Sequence, residues 1–265
     1  MTRPSRFLFI VFILAFCGCS KASADNRIPK INQLVVHQCA GILKNTRDTK
    51  YDHKTHIKPE KGIYHCDCSG FLCYFLSQFS PEALAVVPIE SRCRRQRAVT
   101  FHTAFSSNSE KTKPFWKPIC RMKDALPGDF FAWRVVVIPK HGNSGHCGII
   151  WEKPVRESDG SYRVRILDST TTGHKDDRRI DPKKTGLALG TMWFVVNKKG
   201  EPIGYHWTKP SAQPTMRPIA IGRLIQIPKV KRKNRLRIRI AHSKGTGTFF
   251  VHQVSSSHNT TWDEK

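Results

Sequence analysis

Asp67-Cys68-Ser69-Gly70-Phe71-Leu72 and, far downstream, Ser144-Gly145-His146-Cys147-Gly148-Ile149-Ile150 hold the residue types of thiol catalysis. A thiolate is the attacking species and an imidazole takes its proton, so a cysteine and a histidine must be brought within proton-sharing distance. Cys68 stands at the start of an apolar stripe, Phe71, Leu72, Phe75, Leu76 and Phe79, that follows helical spacing. Asp67 is placed to cap that helix and Pro81 to end it. A sulfur at a helix N-terminus meets unpaired backbone N–H groups, which stabilise a thiolate and can hold an oxyanion. Cys66 precedes the helix and Cys73 lies more than one turn inside it, so both are weaker rivals.

His146 opens a strand-like run whose antiparallel partner is Tyr162 to Asp168. A turn centred near residue 157 sets His146 directly opposite Asp168, with Ile150, Val164 and Ile166 on the same face. Asp168 then orients the imidazole and stabilises its charged form. A slip of one residue would turn Asp168 to the other face. His174 is the alternative orienting residue, and His141 a rival base in the loop before the strand.

The elements that must carry these groups read as α+β. A short helix is expected over 31–44, a polar loop over 45–62, the cysteine helix from 68, and a further short helix at Ser80-Pro81-Glu82. Residues 92–123 are basic, polar and weakly periodic, and read as a surface excursion. Strands follow at Phe130 to Ile138, His146 to Trp151, Tyr162 to Asp168 and Thr191 to Val196, with weaker candidates at Ile203 to Trp207 and Pro218 to Ile227. Strands that cluster in sequence without alternating helices favour an antiparallel meander.

Arg3 and Arg6, an unbroken apolar stretch from Phe7 to Phe16 and small residues up to Ala24 have the make-up of a secretory signal over residues 1–24. Phe16-Cys17-Gly18-Cys19 also resembles a bacterial lipobox, with Cys19 as the residue to be acylated. Residues 25–47 then form an N-terminal segment, 48–227 the catalytic domain, and 228–265 a basic extension whose end is polar and unpatterned. Export suits the seven cysteines beyond Cys19, because six besides a reactive Cys68 could form up to three disulfides.

The formal charge of +25 attracts polyanions over a Debye length. For an exported protein these are wall polymers, lipopolysaccharide or anionic lipid headgroups ahead of nucleic acid. Readers of nucleic acid interleave aromatics with basic residues in a recognisable module, and none stands out here. Phosphate-loop and dinucleotide-binding signatures are also absent from the sequence.

Asp67-Cys68-Ser69-Gly70-Phe71, Pro127-Gly128-Asp129-Phe130-Phe131, Gly145-His146-Cys147-Gly148-Ile149 and Ile166-Leu167-Asp168-Ser169 occur in the order of motifs in the NlpC family of bacterial cell-wall cysteine peptidases, which the chain resembles over roughly residues 48–225. The resemblance implies a papain-like α+β fold and cleavage of peptidoglycan stem peptides between D-glutamate and a diamino acid, with no metal or organic cofactor; the chain is expected to be a monomer. It implies Cys68 as nucleophile, His146 as base and Asp168 as the polar third residue, where the family often has His. It also implies a tyrosine ahead of the cysteine that helps to bind the oxyanion. Tyr51 is the candidate, at a longer separation than usual and without the family's Gly-Gly turn, and Tyr64 stands second. Three other readings compete. They are a zinc site from His65, Cys66, Cys68 and Cys147, a non-enzymatic polyanion-binding envelope protein, and an amidase or acyltransferase of the same fold.

Overall fold

The computed structural model describes residues 28–140, 142–178, 185–208 and 213–226. The signal-like leader, Cys19, His141 and the basic extension lie outside these residues. In chain order the elements are α1 (Lys30–Asn45), β1 (Asp48–Lys50), β2 (His56–Lys58), β3 (Ile63–His65), α2 (Cys68–Phe79), α3 (Pro81–Ala85), α4 (Ala98–Ser106), β4 (Trp116–Pro118), β5 (Phe130–Arg134), β6 (Gly145–Ile150), β7 (Val155–Arg156), β8 (Tyr162–Thr170), β9 (Gly186–Val196), β10 (Pro202–His206), β11 (Thr215–Met216) and β12 (Ile219–Leu224). The class is α+β. An antiparallel sheet of order β11-β10-β9-β8-β6-β5-β12-β4, with β7 added beside β8, is accompanied by a few helices and a small sheet of order β1-β3-β2.

Strand alternation divides the core in two. One set of side chains on β5, β6 and β8, including Phe130, Cys147, Ile149 and Leu167, packs with Phe71, Leu72, Phe75 and Leu76 of α2 and Phe101 and Phe105 of α4. α1 adds Ile31, Val35 and Cys39 to the same cluster. The other face carries Phe131, Trp133, Ile150, Val164, Ile166, Met192 and Phe194. Ile150, Val164 and Ile166 therefore share a face as their spacing predicts. On this second face Trp133 of β5 stacks on Tyr205 of β10, ring centroids 4.2 Å apart, although β6, β8 and β9 lie between those strands in the sheet. Contact across three intervening strands requires the sheet to curl, in keeping with the natural twist of strands. The curl brings the end of β10, and Trp207 just after it, over the start of β6.

Several expectations change. Residues 92–123 are not a surface excursion, because α4 buries Ala98, Phe101, Ala104 and Phe105, and β4 buries Trp116 with its indole N–H on Ala83 O at 3.0 Å. The stretch 45–62 is not simply a loop, since it supplies β1, β2 and a 3-10 turn. The strand from Phe130 ends at Arg134, four residues short of the expected Ile138, whereas the strand expected from Thr191 begins at Gly186. Among the described residues no disulfide joins Cys39, Cys66, Cys68, Cys73, Cys93 or Cys147, which corrects the expected disulfides. Cys39, Cys66, Cys68 and Cys147 are buried among apolar side chains, the other common fate of a cysteine. Among the described residues no helix is long and apolar enough to cross a membrane.

Candidate active site

α2 starts at Cys68 because Asp67 caps it. The Asp67 carboxylate accepts the Gly70 N–H at 2.6 Å and Ser69 Oγ at 3.1 Å, while Phe71 N–H bonds Asp67 O. The N–H groups of Cys68 and Ser69 are thereby left without an acceptor among the described residues, at the positive end of a twelve-residue helix. Arg95 neutralises the cap, with Nη2 on Asp67 Oδ2 and Nη1 on Ser69 Oγ, both at 2.7 Å. The charge of Asp67 is thus largely withdrawn from the sulfur beside it.

β6 presents successive side chains to opposite faces, and both of its first two meet Cys68. Cys147 points into the helix-packed core, His146 to the concave face, and the thiol at the head of α2 contacts both. Gly145 makes this start to the strand workable. Its φ is +136°, outside the range of ordinary L-residues, and a β-carbon there would collide with the backbone of Trp133. His146 Nε2 donates to Asp168 Oδ2 at 2.5 Å, which leaves Nδ1 as the nitrogen available to the thiol.

The register differs from the expected one. Ile149 faces Leu167 and Ile150 faces Ile166, so Asp168 falls two residues off direct opposition to His146. A slip of two keeps the face, because side chains repeat every second residue, and a diagonal pair still lies within reach of a long side chain. The partnership survives a wrong register of even size.

The electrostatics favour an ion pair. The Cys68 thiol is lowered to about 5, first by a hydrogen bond from Cys147 and then by the charge and hydrogen bond of His146, which together outweigh its burial. Burial opposes a charged His146, yet the Cys68 thiolate and the Asp168 carboxylate push the ring up to about 10. Burial also opposes charge on Asp168, and two histidines, His174 and His146, hold its carboxyl well below the usual range nonetheless. Cys147, in contact with the same thiolate and deeply buried, is pushed well up and stays a thiol. Of two touching sulfurs, the negative charge rests on the one that faces the imidazole. Burial likewise pushes Cys66 up to about 12, and Cys73 up to about 11, where its thiol lies near the Gln96 side chain at 3.5 Å.

A cleft of about 400 Å³ opens beside Cys68, with Tyr51, Asp67 and Ser69 in its wall. Arg92, Arg94, Arg95, Arg97 and Lys140 also line it. Arg92, Arg94 and Lys140 are exposed. Arg97 joins its two loops, bonding Glu90 on one side and the carbonyls of Pro139 and Gly142 on the other. Tyr51 is held there by the small sheet. Thr49 Oγ1 bonds Tyr64 O and accepts Leu187 N–H, and Tyr51 N–H donates to Thr185 Oγ1. Burial, followed by the charges of Cys68 and Asp67, pushes the Tyr51 phenol up, so it remains a donor. Tyr64 is instead packed in the core against Tyr74.

The zinc set weighed from sequence does not assemble. His65 Nε2 lies 2.8 Å from Asp48 Oδ2, on the small sheet, and the metal-type group found among the described residues is His146, Asp168 and His174 instead. There both imidazoles already bond the same carboxylate oxygen, at 2.5 and 2.8 Å. Nitrogen and oxygen sharing a tetrahedral zinc at about 2.0–2.1 Å each would stand more than 3 Å apart. As they stand, the three side chains are joined by hydrogen bonds through that oxygen.

The structure brings Cys68, His146 and Asp168 together, with Cys68 and Tyr51 in the wall of the cleft and the other two buried behind it. Asp168 is the residue that bonds the His146 ring, and His174 bonds Asp168 from behind instead of replacing it. Two further side chains lack a clear sequence signal: Trp207, whose indole is edge-on to His146 at 5.3 Å, and Arg95, the partner of the cap. No protein-family model, curated protein or solved structure matches this chain.

Proposed function

We propose that the protein is an exported cysteine peptidase of papain-like design that hydrolyses amide bonds in peptidoglycan stem peptides, at a D-glutamyl to diamino-acid linkage. The observation that carries the reading is the unbroken line from the Cys68 thiol through the His146 ring to the buried Asp168, opening on a cation-rimmed cleft. Such a line is costly to bury unless its charges serve one another.

In this reading the Cys68 thiolate attacks the scissile carbonyl carbon. The oxygen takes up the negative charge and is met by the N–H groups of Cys68 and Ser69, with the Tyr51 hydroxyl on the opposite wall. His146 delivers its Nδ1 proton to the departing amine, leaving a thioester on Cys68. Water, deprotonated by the same nitrogen, attacks the thioester and restores the thiolate and the imidazolium. Asp168 keeps the ring turned and its charge compensated throughout. The exposed arginines and Lys140 suit a substrate that carries free carboxylates beside the bond to be cut, as stem peptides do. The net charge of +25 concentrates the enzyme on an anionic wall.

Purified peptidoglycan digested with the wild-type protein and with Cys68→Ala, followed by mass spectrometry of the released fragments, tests the proposal. Peptide fragments that end at the expected linkage and vanish with the variant support it. Identical digests in both arms reject it.

A further inference from the structure

A Cys-His-Asp mechanism uses one imidazole, yet Asp168 binds two. Its Oδ2 accepts from His146 Nε2 at 2.5 Å and from His174 Nε2 at 2.8 Å, and its Oδ1 is buried with no partner among the described residues. The side chains of both Asp168 and His174 are only 1% exposed. Resting on the reading just given, we propose that His174 is a positioning residue of the Cys68 site, clamping the Asp168 carboxylate so that His146 keeps Nδ1 toward the thiol.

Features from three separate parts of the chain hold His174 where it is. In its own loop the backbone N–H bonds Asp177 Oδ2 at 3.1 Å. From beyond β10, the Trp207 indole lies over the imidazole with centroids 4.1 Å apart, Trp207 O faces Nδ1 at 3.4 Å, and the indole N–H is tied at 3.2 Å to Thr172 O and Gly173 O. From β9, Gly190 leaves a space that the histidine fills. A β-carbon at 190 would fall 2.6 Å from His174 Cβ and 2.7 Å from its Cδ2. A bare backbone beneath, an indole above and a carboxylate in front define a seat built for this ring.

The need for a clamp follows from the chemistry of the carboxylate. The last torsion of an aspartate is broad and roughly two-fold, so one hydrogen bond to His146 does not fix which oxygen is offered or at what angle. A second donor on the same oxygen, from the other side, does. His146 gains a fixed acceptor, and its ring plane is set relative to Cys68. The titratable and charged groups on the elements around His174 are Arg163, Arg165 and Asp168 of β8, Lys175, Asp176, Asp177 and Arg178 of its own loop, His146 of β6 and His206 of β10; Asp168 bonds the ring itself.

The full chain carries the test, as wild type, His174→Ala, His174→Gln and Gly190→Ala. The rate of Cys68 alkylation by iodoacetamide is followed against pH by peptide mass spectrometry, and kcat and KM are measured on a soluble stem peptide. Loss of the clamp in His174→Ala is expected to raise the Cys68 midpoint by about one pH unit and lower kcat about tenfold to a hundredfold with little change in KM, the scale of a small misplacement of a reacting group. His174→Gln, which can still donate to Oδ2, recovers most of both. Gly190→Ala removes no polar group and displaces the ring, and is expected to follow His174→Ala. A wild-type midpoint near 5 that none of the folded variants moves overturns the role of His174 and leaves the hydrolase reading standing. A wild-type midpoint at the ordinary thiol value of about 8.5 overturns both. Should His174→Ala not fold, His174→Gln and Gly190→Ala decide between the same outcomes.

Discussion

Asp129 and Asp168 are equally buried carboxylates on neighbouring parts of one sheet, and they are partnered in opposite ways. Asp129, at the Pro127-Gly128-Asp129 turn into β5, has both oxygens filled. Oδ1 accepts Asn32 Nδ2 at 2.8 Å and Arg223 Nε at 2.7 Å, and Oδ2 accepts Leu126 N–H and Arg223 Nη2, both at 2.8 Å. Asp168 has one oxygen crowded by two imidazoles and the other without a partner among the described residues. An arginine never gives up its proton at accessible pH and an amide never titrates, so Asp129 is locked and can only hold α1, β5 and β12 together. In the proposed mechanism His146 gives up and regains its proton, so Asp168 faces a partner whose charge would change during the reaction. Burial is the same for both carboxylates; what differs is the kind of partner, permanent donors around Asp129 and imidazoles around Asp168.

The largest effects that test this contrast are kinetic. Asp168→Asn should lower kcat by about 10³- to 10⁴-fold, because an amide can neither compensate nor correctly orient a charged ring, while the melting temperature moves little by comparison. Arg223→Ala should do the converse. It strands a buried anion and should cost about 3–5 kcal/mol in denaturant unfolding, with turnover per folded molecule retained. If Asp168→Asn unfolds the chain while Arg223→Ala abolishes turnover, the two roles have been assigned the wrong way round.

Changes in pH sharpen the contrast further. Below about 5 the Cys68 thiolate takes up a proton and loses its nucleophilicity, and above about 10 His146 loses the proton that the leaving amine needs. The rate should therefore be bell-shaped, with its limbs near those two values and a broad plateau across neutrality. A single limb near 7 would mean that no ion pair exists. The smallest effect expected is that of Asp67→Ala. Losing the cap should cost about 0.5–2 kcal/mol in stability and raise KM or lower kcat modestly by loosening the Cys68 and Ser69 amides. Thermal melting and steady-state kinetics together read both parts.

What could be read from sequence follows how local each signal is. The helix of Cys68 is written in five apolar residues and an adjacent cap, and its span emerges as expected. A turn centred near residue 157 predicts direct opposition of His146 and Asp168; the strands pair two residues away from that register, and the partnership stands because a two-residue slip preserves the face. α4 was hidden because its apolar residues, Ala98, Phe101, Ala104 and Phe105, sit between basic and polar flanks that lower the mean hydropathy of the whole stretch. The small sheet was hidden because strands of three residues are too short for alternation to register. An even cysteine number suggests bridges, but a count carries no distances, and burial among aromatic and aliphatic neighbours is what the fold gives Cys39, Cys66, Cys68 and Cys147. Trp207 and Gly190 could not be assigned to the site at all. Their positions depend on the curl of the sheet and on a loop folding back over β9, both of which are long-range outcomes.

The claim on which the rest depends is that Cys68 is an anion paired with His146 in the resting protein. Its most direct test is the pH dependence of Cys68 alkylation in the wild-type chain, resolved from the other cysteines by peptide mass spectrometry. The account predicts half-maximal reactivity near pH 5 and a fast, flat rate through neutrality. A rate that climbs only towards the ordinary thiol value of about 8.5 would contradict it.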